Sequence, residues 1–115
     1  MPLVEINYAP HVPHAVLKDL AAMLPHAVSV AVECPEEPYD GDLQPGDVDL
    51  RFRQRDPLDS TGMDIVVEVR SKYFESRAAN RQDRVDGLCA AIAEATGLAD
   101  VGVYLSLPIA AWAQT

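Results

Sequence analysis

Cysteine is scarce in this chain of 115 residues, and the two present, Cys34 and Cys89, are far apart with no C-x-x-C pair. That argues against a disulfide framework or a thiolate zinc site and leaves each as a small buried hydrophobe. Basic residues are also few. Nine Lys and Arg stand against eighteen Asp and Glu, and a net charge of −9 makes nucleic acid an unsuitable partner. No apolar run reads as approaching a membrane span, and the basic-then-apolar opening of a signal peptide is missing. The expectation is therefore no membrane partner and a cytoplasmic location.

What is present is ordinary in bulk: 49% hydrophobic and 23% charged residues, suited to one soluble globular domain over residues 1–115. The organising stretch is the first eight residues. Val4, Ile6 and Tyr8 alternate with Leu3, Glu5 and Asn7 as in a strand. A strand that starts at the terminus fixes the terminus in space. If Met1 is removed, Pro2 becomes a rigid secondary amine. An α-amine titrates at about 7.7–8.0, and burial beside cations lowers that, so such a group suits a general base. The simpler alternative is a Pro that opens an edge strand, where its missing N–H costs little.

The cations are unevenly placed. Apart from Lys18, all fall between Arg51 and Arg84, as expected of a site for a small anion or of pairs that balance nearby acids. Following the chain, Pro13 suits the first turn of a helix, and apolar residues from Val16 to Cys34 recur at helical spacing across Pro25. One kinked helix is expected there. Residues 35–47 read as an acidic, Pro- and Gly-containing loop. Val48 to Arg55 alternates strictly, with Val48, Leu50 and Phe52 on one face and Asp49, Arg51, Arg53 and Arg55 on the other. After a loop over 56–62 the order repeats: a strand over 63–70, a helix over 76–96 stopped by Gly97, and a strand over 101–107. Two β-α-β units, each a right-handed crossover between parallel strands, predict an α/β two-layer sandwich. It has a four-stranded mixed sheet with two helices on one face. The other face carries Glu5, Asn7, Arg51, Arg53, Arg55, Glu68 and Arg70, so it is either wet or covered by another subunit.

These residues resemble the tautomerase superfamily, within it the 5-carboxymethyl-2-hydroxymuconate isomerase group and, more distantly, macrophage migration inhibitory factor. The resemblance rests on Met1-Pro2-Leu3-Val4-Glu5-Ile6, on Leu50-Arg51-Phe52-Arg53, on Glu75-Ser76-Arg77 opening the second helix, and on the Pro within the first helix. It implies a homotrimer with sites at subunit boundaries and Pro2 as catalytic base once Met1 is gone. By position, Arg51 or Arg53 corresponds to the substrate-binding Arg. Lys72 or Arg70 fills a second cationic position, because Val69-Arg70-Ser71-Lys72 departs from the commoner Gly-Arg-Ser loop.

The chemistry is consistent without the family. Proton transfer α to a carbonyl needs a base of modest pKa and cations that hold the substrate carboxylate and the developing oxyanion. Arg does this through bidentate contacts and Lys as a point charge. No cofactor or metal is required; His11 and His14 have HxxH spacing but no third ligand nearby. Tyr104 is able to donate to an oxyanion, although packing or an inter-subunit contact is the stronger expectation. The leading expectation is an isomerase for a small anionic substrate. The alternatives are a non-catalytic binding member of the same fold and a hydrolytic relative, a dehalogenase or decarboxylase, with a cationic Pro2 and another residue activating water. With Met1 retained, the Pro2 nitrogen is an amide and has no basic lone pair.

Overall fold

The computed structural model describes Met1–Thr115. Strand β1 (Leu3–Tyr8) leads to helix α1 (His14–Val32), a 3-10 turn (Pro38–Asp42) and strand β2 (Asp49–Gln54). Strand β3 (Ile65–Arg70), a short helix α2 (Glu75–Ala78), helix α3 (Arg81–Thr96) and strand β4 (Val101–Ser106) follow. The sheet order is β2-β1-β3-β4, with β1 parallel to β2, antiparallel to β3, and β3 parallel to β4. The expected mixed four-stranded sheet with its helices on one face is what forms.

Strand β1 lies inside the sheet because its alternate residues are fully apolar on one side. Val4 and Ile6 are buried, as are Ile65, Val67 and Val69 on β3, and these meet Leu20, Leu24 and Val28 of α1 and Leu88 and Ile92 of α3 in one core. Such side chains each contribute about 1.5–3 kcal/mol on full burial. Helix α1 is also long and apolar enough, by length and composition, to cross a membrane, contrary to the reading of the sequence. In this fold its apolar side is the core: Leu17, Leu20, Leu24, Ala27, Val28, Ala31 and Val32 are buried.

Helix α1 runs unbroken through the buried Pro25. Its end lacks basic residues of its own, so the last carbonyls look elsewhere for donors. Arg84 donates to the Ala31 and Glu33 carbonyls at 2.9 and 2.8 Å, and Arg77 donates to that of Val32. The second half of the chain thus caps the helix of the first half.

Two expected elements differ. The helix expected over 76–96 is two helices, interrupted at Asn80, whose backbone leaves the helical region (φ −121°, ψ 31°) and whose side-chain oxygen takes Arg84 Nε at 2.7 Å. Gly97 stops α3 as expected, in the left-handed region at φ 69°. The loop over 35–47 is more ordered than its composition suggests. It contains the 3-10 turn, buries Leu43, and is tied to α1 by the Leu43 N–H donating to Ser29 Oγ at 2.7 Å.

Candidate active site

Pro2 is buried at the start of β1, and its carbonyl accepts from the Asp49 N–H at 3.0 Å. Its nitrogen is bonded to Met1, and Met1 lines two cavities. One, of about 290 Å³, is floored by the helix-free face of the sheet, where Leu3, Asp49, Arg51 and Arg70 meet Lys72. The other, of about 510 Å³, is walled by Tyr39, Asp40 and Asp42 of the 3-10 segment, with Asp47. Trp112 of the C-terminal tail lines both. The Pro2 nitrogen is therefore one bond away from a residue that lines both a cationic cavity and an acidic one.

Strand register explains the cationic side. Leu3 stands opposite Asp49 on β2 and Arg70 on β3, and Glu5 opposite Arg51 and Glu68. Arg51 and Arg70 thus come to the Pro2 end from two strands. Both are already engaged, each with the acid two residues before it. Arg51 Nη2 donates to Asp49 at 2.9 Å, and Arg70 reaches both Glu68 oxygens at 3.0 and 3.1 Å. The hydrogen bond from Arg70 holds the Glu68 carboxyl below its ordinary range despite partial burial, and Glu68 raises Arg70 in turn. Lys72 is different. Its nearest carboxylate oxygen, Glu37 Oε2, lies at 3.7 Å, too far for a hydrogen bond.

Of the residues expected at the site, Arg51, Arg70 and Lys72 line one cavity, and the buried Pro2 lines neither but is bonded to Met1, which lines both. Arg53 and Tyr104 line neither cavity: Arg53 pairs with Asn7 further along β1, and Tyr104 is 67% exposed opposite Glu68. His11 Nε2 lies 3.0 Å from Asp64 Oδ1.

The reading of the sequence missed the buried polar cluster behind this site. Arg77 is fully buried. Its guanidinium donates to Asp40 Oδ2 at 2.9 Å, Glu37 Oε1 at 3.4 Å and the carbonyls of Val32 and Lys72 at 2.6 and 2.8 Å, with the Phe74 ring centroid 5.5 Å away. A buried cation needs such a set of acceptors. Burial pushes the Glu37 carboxyl up, but the Tyr39 hydroxyl at 2.9 Å, Lys72 and Arg77 outweigh it, and the group stays below its ordinary range. Asp40 goes the other way. Burial, reinforced by the Glu37 charge, raises it against the pull of Arg77 and the chain's own α-amine. Asp40 Oδ1 has no hydrogen-bond partner. The signal in the sequence was an acid-rich loop in a chain whose cations gather elsewhere; its acids pair with those cations through the fold.

No family model and no curated protein matches the chain. Solved structures do. A malonate semialdehyde decarboxylase superposes with a TM-score of 0.64 at 19% identity, over 96% of this chain and 88% of the other. The chain has the tautomerase fold. A 5-carboxymethyl-2-hydroxymuconate delta-isomerase matches at 0.56 and 14% identity, over 100% of this chain and 86% of the other. A fused 4-OT symmetric trimer matches at 0.60 and 18%, over 93% and 85%. At such identities the likeness shows the fold, and the site has to be read from this chain's own residues.

Proposed function

We propose that the chain, once Met1 is removed, is an isomerase of the keto–enol tautomerase type acting on a small carboxylate-bearing enol or 2-oxoacid, with Pro2 as general base. The observation that carries this is the placement of the Pro2 nitrogen. Loss of Met1 would leave a secondary amine next to the space where Met1 now lines a cavity with Arg51, Arg70 and Lys72. Lys72, whose ion pair with Glu37 is too long for a hydrogen bond, takes the substrate carboxylate, with Arg70 and Arg51 adding to the field. Pro2 takes a proton from the enol hydroxyl or the α-carbon and returns it at the other position, while the cations stabilise the enolate-like charge in between.

A homotrimer belongs to this reading. The helix-free sheet face leaves Arg53 and Tyr104 exposed, and one structure of the same fold is a symmetric trimer. In such an assembly Arg53 and Tyr104 would serve a neighbour's site or the contact itself. A second reading is favoured by Asp40. With its carboxyl raised and one oxygen unpartnered, it is suited to activating water, and Pro2 would then stay cationic. The decarboxylase of the same fold also has a hydratase activity.

The charge state of Pro2 separates the two. Ultraviolet loss of phenylenolpyruvate against pH, with ¹⁵N titration of the Pro2 amine, is the test. Tautomerisation that rises with pH as an amine of pKa below about 7.7 deprotonates supports the base. An amine protonated throughout, with Asp40→Asn abolishing hydration of a 2-oxo-alkynoate, supports the second reading. Protein that keeps Met1 and turns over as fast as processed protein removes Pro2 from both.

A further inference from the structure

The cationic cavity depends on a lysine whose ion pair with Glu37 is long, beyond hydrogen-bond distance, and the reason lies one layer deeper. Glu37 Oε1 is turned to Arg77 and Glu37 Oε2 accepts from Tyr39, leaving Lys72 Nζ at 3.7 Å. Arg77 also holds the Lys72 carbonyl at 2.8 Å, so it fixes both the backbone that carries the lysine and the acid that would otherwise claim it. The same guanidinium takes Asp40 Oδ2, the wall of the second cavity.

We propose that Arg77 is the positioning residue of this site: by binding Glu37, Asp40 and the Lys72 carbonyl from below, it keeps the Lys72–Glu37 ion pair long and so leaves the ammonium's hydrogen bonds for the substrate's carboxylate. Arg77 is itself fully buried and lines neither cavity, so it acts only through these neighbours. Four directional contacts from one planar group are beyond a lysine, which is why arginine stands here. Without Arg77, Glu37 would keep a full charge whose remaining cation is Lys72, and the two would close on each other.

The inference rests on the substrate class proposed above, so its test has one arm that does not. In processed full-length protein, Arg77→Met is expected to weaken 2-oxoglutarate binding at least tenfold by calorimetry, and Arg77→Lys by less. Adding Glu37→Gln to Arg77→Met is expected to restore much of the affinity, because the competing carboxylate is gone. A role in stability alone would lower the melting temperature without that rescue, and absence of rescue overturns the proposal. The second arm is a crystal structure of Arg77→Lys, or of Arg77→Met where it folds. Lys72 Nζ moving to within hydrogen-bond distance of Glu37 in either variant supports the proposal, and an unchanged 3.7 Å in both overturns it. Wild-type protein that binds no 2-oxoglutarate sinks the substrate class, while the crystallographic arm still decides the role of Arg77.

Discussion

Arg53 and Arg77 are the same residue type in two unlike settings. Arg53 stands on an exposed face of β2, one residue in a strict alternation. Arg77 is sealed under the cavities with two carboxylates and two carbonyls around it. The exposed arginine gains little from any ion pair it makes, since water already solvates it. The buried one has lost that solvation, and every contact it makes replaces water. Cations on the sheet face can therefore be exchanged at small cost to the fold, whereas the one below the site binds both halves of the chain together.

The largest effect should come from breaking the buried side of this comparison. Arg77→Met leaves Asp40 and Glu37 without their shared cation, and removing one partner of a buried pair costs about 3–5 kcal/mol. Arg53→Ala should fall within about 0.5 kcal/mol of wild type, as surface substitutions do. Urea unfolding of both variants at neutral pH measures the difference. Equal losses would mean that burial does not separate the two arginines in energy.

How far the sequence foretold this contrast depends on the period each residue obeys. The strands announced themselves because Val4 and Ile6, or Val67 and Val69, recur every second residue, and a period of two has one structural meaning. Arg51, Arg53 and Arg70 were legible for the same reason. Arg77 sits in a helix of four residues, too short to show a period, and its carboxylate partners lie 40 and 37 residues earlier in an acidic loop, with the Val32 carbonyl at the end of α1. Nothing local marks such a loop as buried. The break at Asn80 was hidden similarly, since the apolar spacing continues on both sides of it, and the Arg84 side chain that bonds Asn80 there carries no such signal in the sequence. Pro2 was legible as a terminus that opens a strand, but the acidic cavity beside it was not, because Met1 and Trp112 reach it from opposite ends of the chain and Asp40 from a loop between them.

A smaller effect sharpens the comparison through pH. Glu37 has a folded-state pKa below its ordinary value of 4.5. It therefore contributes stability above that value, and the contribution is lost as pH falls through the lowered folded pKa. Asp40, raised from 3.8, has the opposite sign: its contribution is full below that value and disappears as pH rises through the raised folded pKa. The stability gap between wild type and Glu37→Gln should be widest near neutrality and shrink on acidification below about 4.5. Denaturant melts at pH 7, 5 and 3.5 measure it. A gap independent of pH would mean that the Glu37 carboxylate is not what matters.

A similarly small effect on stability belongs to the exposed pair Arg51–Asp49, whose side chains are 59% and 41% accessible. Asp49→Asn should change stability by less than about 1 kcal/mol, the usual range for a surface ion pair. Its effect on binding has the opposite sign to a lost contact. Arg51 Nη2 now spends a hydrogen bond of 2.9 Å on Asp49, and both residues line the cationic cavity. Neutralising the acid releases that donor and removes a negative charge from the cavity wall, so a small carboxylate should bind more tightly, and the gain should fade with added salt as surface electrostatics are screened. Calorimetry with 2-oxoglutarate at low and high salt, on Asp49→Asn and on Asp49→Asn with Arg51→Ala, measures this. A gain that survives loss of Arg51 would assign the effect to the charge of Asp49 alone; a loss of affinity in the single variant would mean that Asp49 holds Arg51 in the orientation the ligand needs.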